Sequence, residues 1–231
     1  MKYNRTLLCI FLGIFLMLGT SVSLFAQEKK GPLRWEETIR NFEKQDQANP
    51  PEKGAILFTG SSSIVMYKDL ANHFPEHQVL NRGFGGSNFT DLLHYAPRVI
   101  YPYKPSKIFI YEGDNDVASG EDAKEILKKA IQLREEIAKA LPGVPVVFIS
   151  PKPSVARWAM KDKYEALNRE LKAYADKTKN TMYADVWTAM LDENGVVYDN
   201  IFLKDNLHMN SEGYAIWKTV LEPYMDTARK D

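Results

Sequence analysis

The stretch Ala55-Ile56-Leu57-Phe58-Thr59-Gly60-Ser61-Ser62-Ser63-Ile64 joins a solid apolar run to a turn of small residues and the start of a new pattern. Uninterrupted apolar residues, rather than every-other-residue alternation, suit a strand buried on both faces of a parallel sheet. Four further runs follow, at residues 79–80, 107–111, 144–149 and 181–186. Helical periodicity fills the gaps. Over residues 121–141, Ile126, Ala130, Ile131, Ile137, Ala138 and Leu141 share one face, and Ser119 ahead of Asp122 resembles a capping box at its start. Residues 159–177 place Met160, Tyr164, Leu167, Leu171 and Tyr174 at spacings of three and four, and a last helix is predicted over residues 212–228, capped by Ser211. Strand and helix alternate five times. That predicts an α/β fold: a single doubly wound domain with a five-stranded parallel sheet flanked by helices.

Outward from this core, Leu33, Trp35, Ile39 and Phe42 predict an amphipathic helical extension over residues 27–51, packed on a domain of residues 52–231 and ended by Asn49-Pro50-Pro51. Residues 1–26 read as a signal peptide: a basic head with Lys2 and Arg5, an apolar run over 7–18, and small residues leading to Ala26. A spanning helix needs about 20 apolar residues. Export to the periplasm or exterior, with cleavage near Ala26 and no membrane span in the mature form, is therefore expected ahead of retention as an anchor. Cleavage would also remove Cys9, the only cysteine, so no disulfide is expected.

The full chain has 231 residues, 45% hydrophobic and 26% charged, which fits a folded globular protein rather than a disordered one. Its 30 basic and 30 acidic residues balance, so it lacks the positive field that nucleic-acid binding needs.

In a doubly wound sheet, ligands sit at the carboxyl ends of the strands. Gly60-Ser61-Ser62-Ser63 stands at the first such end, where it reads either as a helix cap or as a hydroxyl presented at a helix start. Asn81-Arg82-Gly83-Phe84-Gly85-Gly86-Ser87 follows the second strand, either as a tight turn or as backbone opened to a ligand. Glu112-Gly113-Asp114-Asn115-Asp116 follows the third. Its three acids invite a metal reading, but the glycine and distant glutamate of an EF-hand are not at their fixed offsets. Asp205-Asn206-Leu207-His208 precedes the last helix, and an aspartate three residues ahead of a histidine can accept its Nδ1–H and leave Nε2 as a base. A surface Asp–His pair is the alternative. Pro75 separates His73 from His77 and spoils a shared metal-binding face, and His94 reads as structural.

Taken together and in chain order, these loops resemble the SGNH hydrolase superfamily, the GDSL esterase/lipase family, over residues 52–225. Gly60-Ser61-Ser62 corresponds to the family's Gly-Asp-Ser block, Asn81 to Gly86 to its Asn-x-x-x-x-Gly segment, Gly113-Asp114-Asn115-Asp116 to Gly-x-Asn-Asp, and Asp205 to His208 to Asp-x-x-His. The one departure is Ser61 in place of the aspartate, which is not among the family's catalytic groups. The resemblance implies a flavodoxin-like SGNH fold and ester hydrolysis. It also implies Ser62, His208 and Asp205 as nucleophile, base and orienting acid, with Ser62, Gly86 and Asn115 as oxyanion donors. No metal or organic cofactor is implied.

The substrate is less legible. Little chain lies beyond the core fold, which favours an open site and a small acyl group. Arg157 and Trp158, after the fourth strand, either hold a sugar or polar headgroup or open the next helix and cover the core. Deacetylation of a carbohydrate is the preferred expectation. Cleavage of lysophospholipids, acyl transfer by the same residues, and a non-catalytic glycan-binding module are the alternatives, in that order. Oligomeric state is not legible in the sequence.

Overall fold

A computed structural model describes residues 31–226. Five strands form one sheet: β1 (Ile56–Gly60), β2 (Val79–Gly83), β3 (Lys107–Tyr111), β4 (Val146–Ile149) and β5 (Thr181–Ala184). All pairs are parallel and the order is β2-β1-β3-β4-β5, with Phe58 opposite Asn81 on one side and Phe109 on the other. The helices described are α1 (Glu36–Ala48), the turns α2 (Ser62–Val65) and α3 (Leu70–His73), α4 (Phe89–Val99), the short α5 (Asp114–Ala118), α6 (Ala123–Ala140), α7 (Lys161–Lys177), the turn α8 (Val186–Ala189) and α9 (Ser211–Met225). No described helix is long and apolar enough to cross a membrane.

The apolar strands are buried on both faces, as their composition requires. Leu57, Ile108, Ile110, Val146 and Phe148 pack into one core with Leu92 of α4, Ile126 of α6 and Leu167 of α7. Ile56, Phe58, Phe109, Val147 and Ile149 pack into the other with Ile64 of α2, Leu70 of α3 and Trp217 of α9. Each such side chain contributes about 1.5–3 kcal/mol by leaving water. The doubly wound α/β architecture expected from the alternation of runs is the one observed.

The differences lie at element ends. β2 continues past the expected 79–80 through the polar pair Asn81-Arg82. A charged residue fits there because Arg82 is buried, with its guanidinium bonded to Asp46 of α1 and its Nε donating to the Tyr103 hydroxyl at 2.8 Å. Ser119 does not cap α6: Asp122 holds the N-cap position without a side-chain bond, and the Ser119 hydroxyl donates to the Asp116 carbonyl at 2.8 Å. Asn210, not Ser211, caps α9, its side-chain oxygen accepting from Glu212 N at 2.9 Å and Gly213 N at 3.1 Å. Asparagine out-competes serine here because Ser211 is already the first helical residue.

The extension before β1 is a 3₁₀ turn (Gly31–Trp35) running into α1. Ion pairs hold it to the domain: Arg34 to Asp91 at 2.7 Å, Arg98 to Glu36 and Glu43 at 2.7 Å each, and Arg82 to Asp46. Bonded first to Arg98, Glu36 is held down at about 2. The signal-peptide expectation concerns residues outside those described.

Candidate active site

β1 ends at Gly60, where a Cβ would run into the Tyr111 carbonyl oxygen; only glycine lets β1 and β3 approach this closely. Ser61 follows in an extended conformation and donates its N–H to that carbonyl at 3.1 Å. The chain then turns into α2 with Ser62 as its first residue. Ser61 and Ser63 are buried, whereas Ser62 is half-buried and its hydroxyl faces the loop before α9. Of the three adjacent serines, the tertiary fold presents Ser62.

That loop is shaped by short main-chain bonds, Leu203 N to His208 O at 2.7 Å and Asn206 N to Leu203 O at 2.9 Å, with Asn206 left-handed at φ +56°. Asp205 Oδ1 accepts from the N–H groups of Leu207 and His208, both at 3.0 Å, and its Oδ2 meets His208 Nδ1 at 2.6 Å. The bond from His208, followed by those two backbone donors, holds the Asp205 carboxyl down at about 2. An ionised carboxylate only accepts, so Nδ1 carries the proton in that bond, and in the neutral imidazole the lone pair is on Nε2. His208 Nε2 stands 3.1 Å from Ser62 Oγ. The expected surface-pair alternative does not hold, because the imidazole joins two loops.

Gly86, at φ +81°, and Asn115, on the first turn of α5, stand on the loops after β2 and β3, the two strands that flank β1. The Asn115 amide is held at both ends: its Nδ2 donates to the Ser87 carbonyl at 2.9 Å, and its Oδ1 accepts from Arg157 at 3.1 Å. Ser87 in turn donates its hydroxyl to buried Glu112 at 2.5 Å, and burial, then Asp116, push that carboxyl well above the carboxylate range. The three acids of this loop thus face protein groups. Asp114 bonds Arg157, and Asp116 accepts from Phe89 N at 3.3 Å.

Arg157 and Trp158 fall within a 3₁₀ turn (Val155–Met160) after β4. The guanidinium of Arg157 bonds Asp114 through Nη1 and Asn115 Oδ1 through Nη2. Trp158 stacks on Trp187, with ring centroids 6.1 Å apart, carries Lys161 Nζ 5.6 Å from its ring centroid, and borders a cleft with Val155 and Tyr198. Lys152, Tyr111, Tyr164 and Trp35 border the site without having been expected there. Only a lysine amid Ser150-Pro151-Lys152-Pro153 at a strand end could have drawn notice.

Residues 58–216 match the model of the GDSL-like lipase/acylhydrolase family, and this span takes in every residue of the relay and its flanking loops. No curated protein matches the chain. Among solved structures it resembles a Streptococcus pneumoniae protein described as a platelet activating factor, with TM-score 0.74, 21% identity, and 83% of this chain and 93% of that one covered. A GDSL-like lipase from Bacteroides thetaiotaomicron superposes with TM-score 0.68 at 18% identity, covering 80% and 96%. A catalytic mutant of an acetylxylan esterase from Geobacillus stearothermophilus does so with TM-score 0.61 at 19% identity, covering 77% and 96%. At such identities these likenesses speak for the fold, whereas the family match runs through the sequence itself. A carboxylic ester hydrolase by class, the chain belongs to the GDSL-like lipase/acylhydrolase family.

Proposed function

We propose that the protein removes small acyl groups, acetyl foremost, from a carbohydrate, through an acyl-enzyme on Ser62. The observation that carries this reading is the unbroken line from Ser62 Oγ to His208 Nε2 at 3.1 Å and from His208 Nδ1 to Asp205 at 2.6 Å. Ser62 Oγ attacks the ester carbonyl as its proton passes to Nε2. The tetrahedral oxyanion accepts from the N–H groups of Ser62 and Gly86 and from the second N–H of the Asn115 amide, the first being bound to Ser87. One such donor is worth roughly 3–4 kcal/mol of barrier. Collapse expels the alcohol, which takes the proton from His208. Water then repeats the sequence and frees the acid.

Two features support a small acyl group on a sugar. A Cβ on Gly86 would stand 3.4 Å from Trp35 Cη2, so the indole closes that side of the site. Val155, next to Ala156 whose N–H is bonded to the Asn206 carbonyl at 3.0 Å, borders an open cleft of about 480 Å³. Trp158, Tyr198, Asp192 and Asp199 line it, an aromatic and carboxylate mixture suited to stacking on a sugar ring and accepting its hydroxyls. The Geobacillus protein is, by its description, an acetylxylan esterase. Export rests on the signal-like residues 1–26.

The test is hydrolysis of p-nitrophenyl esters from acetate to octanoate by wild type and Ser62→Ala, followed by acetylated xylo-oligosaccharide against a lysophospholipid. Highest activity on acetate and on the acetylated sugar, lost in the variant, is expected. A maximum at long chains would replace the sugar reading with the lipid one, and retained activity in Ser62→Ala would overturn the nucleophile. Product analysis with an added acceptor alcohol separates hydrolysis from acyl transfer.

A further inference from the structure

Asp114 follows Gly113 at the end of β3, and its side chain is only 8% exposed. Four groups converge on its carboxylate: Arg157 at 2.5 Å, the hydroxyls of Tyr111 and Tyr164 at 2.7 Å each, and Lys152 Nζ at 3.8 Å. Burial pushes this carboxyl up, but Lys152 and then Arg157 outweigh it and hold the group below its ordinary value. Both cations carry donors beyond those that Asp114 uses. Arg157 sends one to Asn115 Oδ1 at 3.1 Å. Lys152, its side chain 1% exposed, sends one to the Leu207 carbonyl at 2.7 Å. Leu207 immediately precedes His208.

We propose that Asp114 is the shared anchor of the two halves of the active site, setting the Asn115 amide through Arg157 and the His208 loop through Lys152. The inference rests on the oxyanion and base readings of Asn115 and His208 given above. The chemistry of the contacts is directional. Arginine only donates and the Ser87 carbonyl only accepts, so together they allow one orientation of the Asn115 amide, with NH₂ toward the reacting carbonyl. Without Arg157 the amide can flip and present a lone pair to the oxyanion. Lysine likewise only donates, and the carbonyl it grips fixes the peptide leading into the base. A buried ion cluster is often replaceable by apolar residues at no cost in stability. Positioning therefore accounts for this one better than stability does. Arg157 and Lys152 are positioning residues, and neither is expected to touch substrate.

Double-mutant cycles on p-nitrophenyl acetate test this. Arg157→Gln is expected to lower kcat about 10–10²-fold with KM within about threefold, and to cost less than about twofold once Asn115→Ala is present. Lys152→Met is expected to behave the opposite way, keeping its loss in Asn115→Ala and losing it against the residual rate of His208→Ala. Equal factors in every background, or a rise in KM in place of the fall in kcat, would overturn the proposal. If Asn115→Ala alone left kcat unchanged, the oxyanion reading itself would fail, a result distinct from additivity. Arg157→Lys guards against misfolding. It keeps a cation beside Asp114, so its Tm should stay near wild type, yet a single ammonium nitrogen lacks the planar fork whose separate Nη1 and Nη2 reach Asp114 and Asn115, and the kcat deficit should persist. Full recovery of kcat by lysine would overturn the role of the guanidinium fork.

Discussion

The indole of Trp35 lies against Gly86, close enough that a side chain on the glycine would begin 3.4 Å from Trp35 Cη2. Trp35 belongs to the segment before β1, and its neighbours Arg34 and Glu36 are tied to Asp91 and Arg98. The extension thus reaches the proposed site, its aromatic ring standing beside the proposed oxyanion donor.

Trp35→Ala should therefore widen the acyl pocket. The ratio of kcat/KM on p-nitrophenyl hexanoate to that on acetate is expected to rise about tenfold or more, the usual scale of size discrimination by an apolar wall. An unchanged ratio would mean that the acyl chain leaves the site in another direction.

The relay should behave as one unit. Asp205→Asn is expected to lower kcat about 10²–10⁴-fold, because an amide no longer enforces the Nδ1–H tautomer of His208. Combined with His208→Ala it should add almost nothing, since the histidine it orients is gone. Multiplying effects in the double variant would show that the two residues act separately.

Asp116 gives a pH test of stability. Burial, partly offset by Lys129, pushes its carboxyl up to about 6, above the value it has in an unfolded chain. A raised carboxyl contributes stability that is complete below the unfolded pKa of about 4 and is lost as pH rises through 6. Asp116→Asn removes this dependence. Relative to wild type, the variant should gain stability between pH 4.5 and 7.5, by of order 2–3 kcal/mol at most, read as a rise in its Tm over that of wild type. Parallel Tm curves for the two proteins would show that Asp116 titrates alike in the folded and unfolded states.

Much of the fold was legible because its determinants are local. The run over 107–111 coincides with β3, since a strand buried on both faces advertises itself residue by residue. β2 was half-hidden because Arg82 is a core residue only in the company of Asp46 and Tyr103, both distant in sequence. The helix caps were misread because Ser119 and Ser211 look like caps in sequence, whereas capping depends on which residue is the last non-helical one. Arg157 carried two readings of equal merit from its sequence. Its partners, Asp114 and Asn115, lie 43 and 42 residues away and were hidden from either reading.

By itself, then, the sequence determined the order of strands and helices and the residues standing at the strand ends, because periodicity and turn chemistry act between near neighbours. The tertiary structure decided which of three serines meets His208, 146 residues away, and that Arg157 and Lys152 turn inward around one carboxylate. It also brought Trp35 onto Gly86. Those contacts depend on the strand order and on the twist that brings the strand ends together, and a linear pattern carries no record of either.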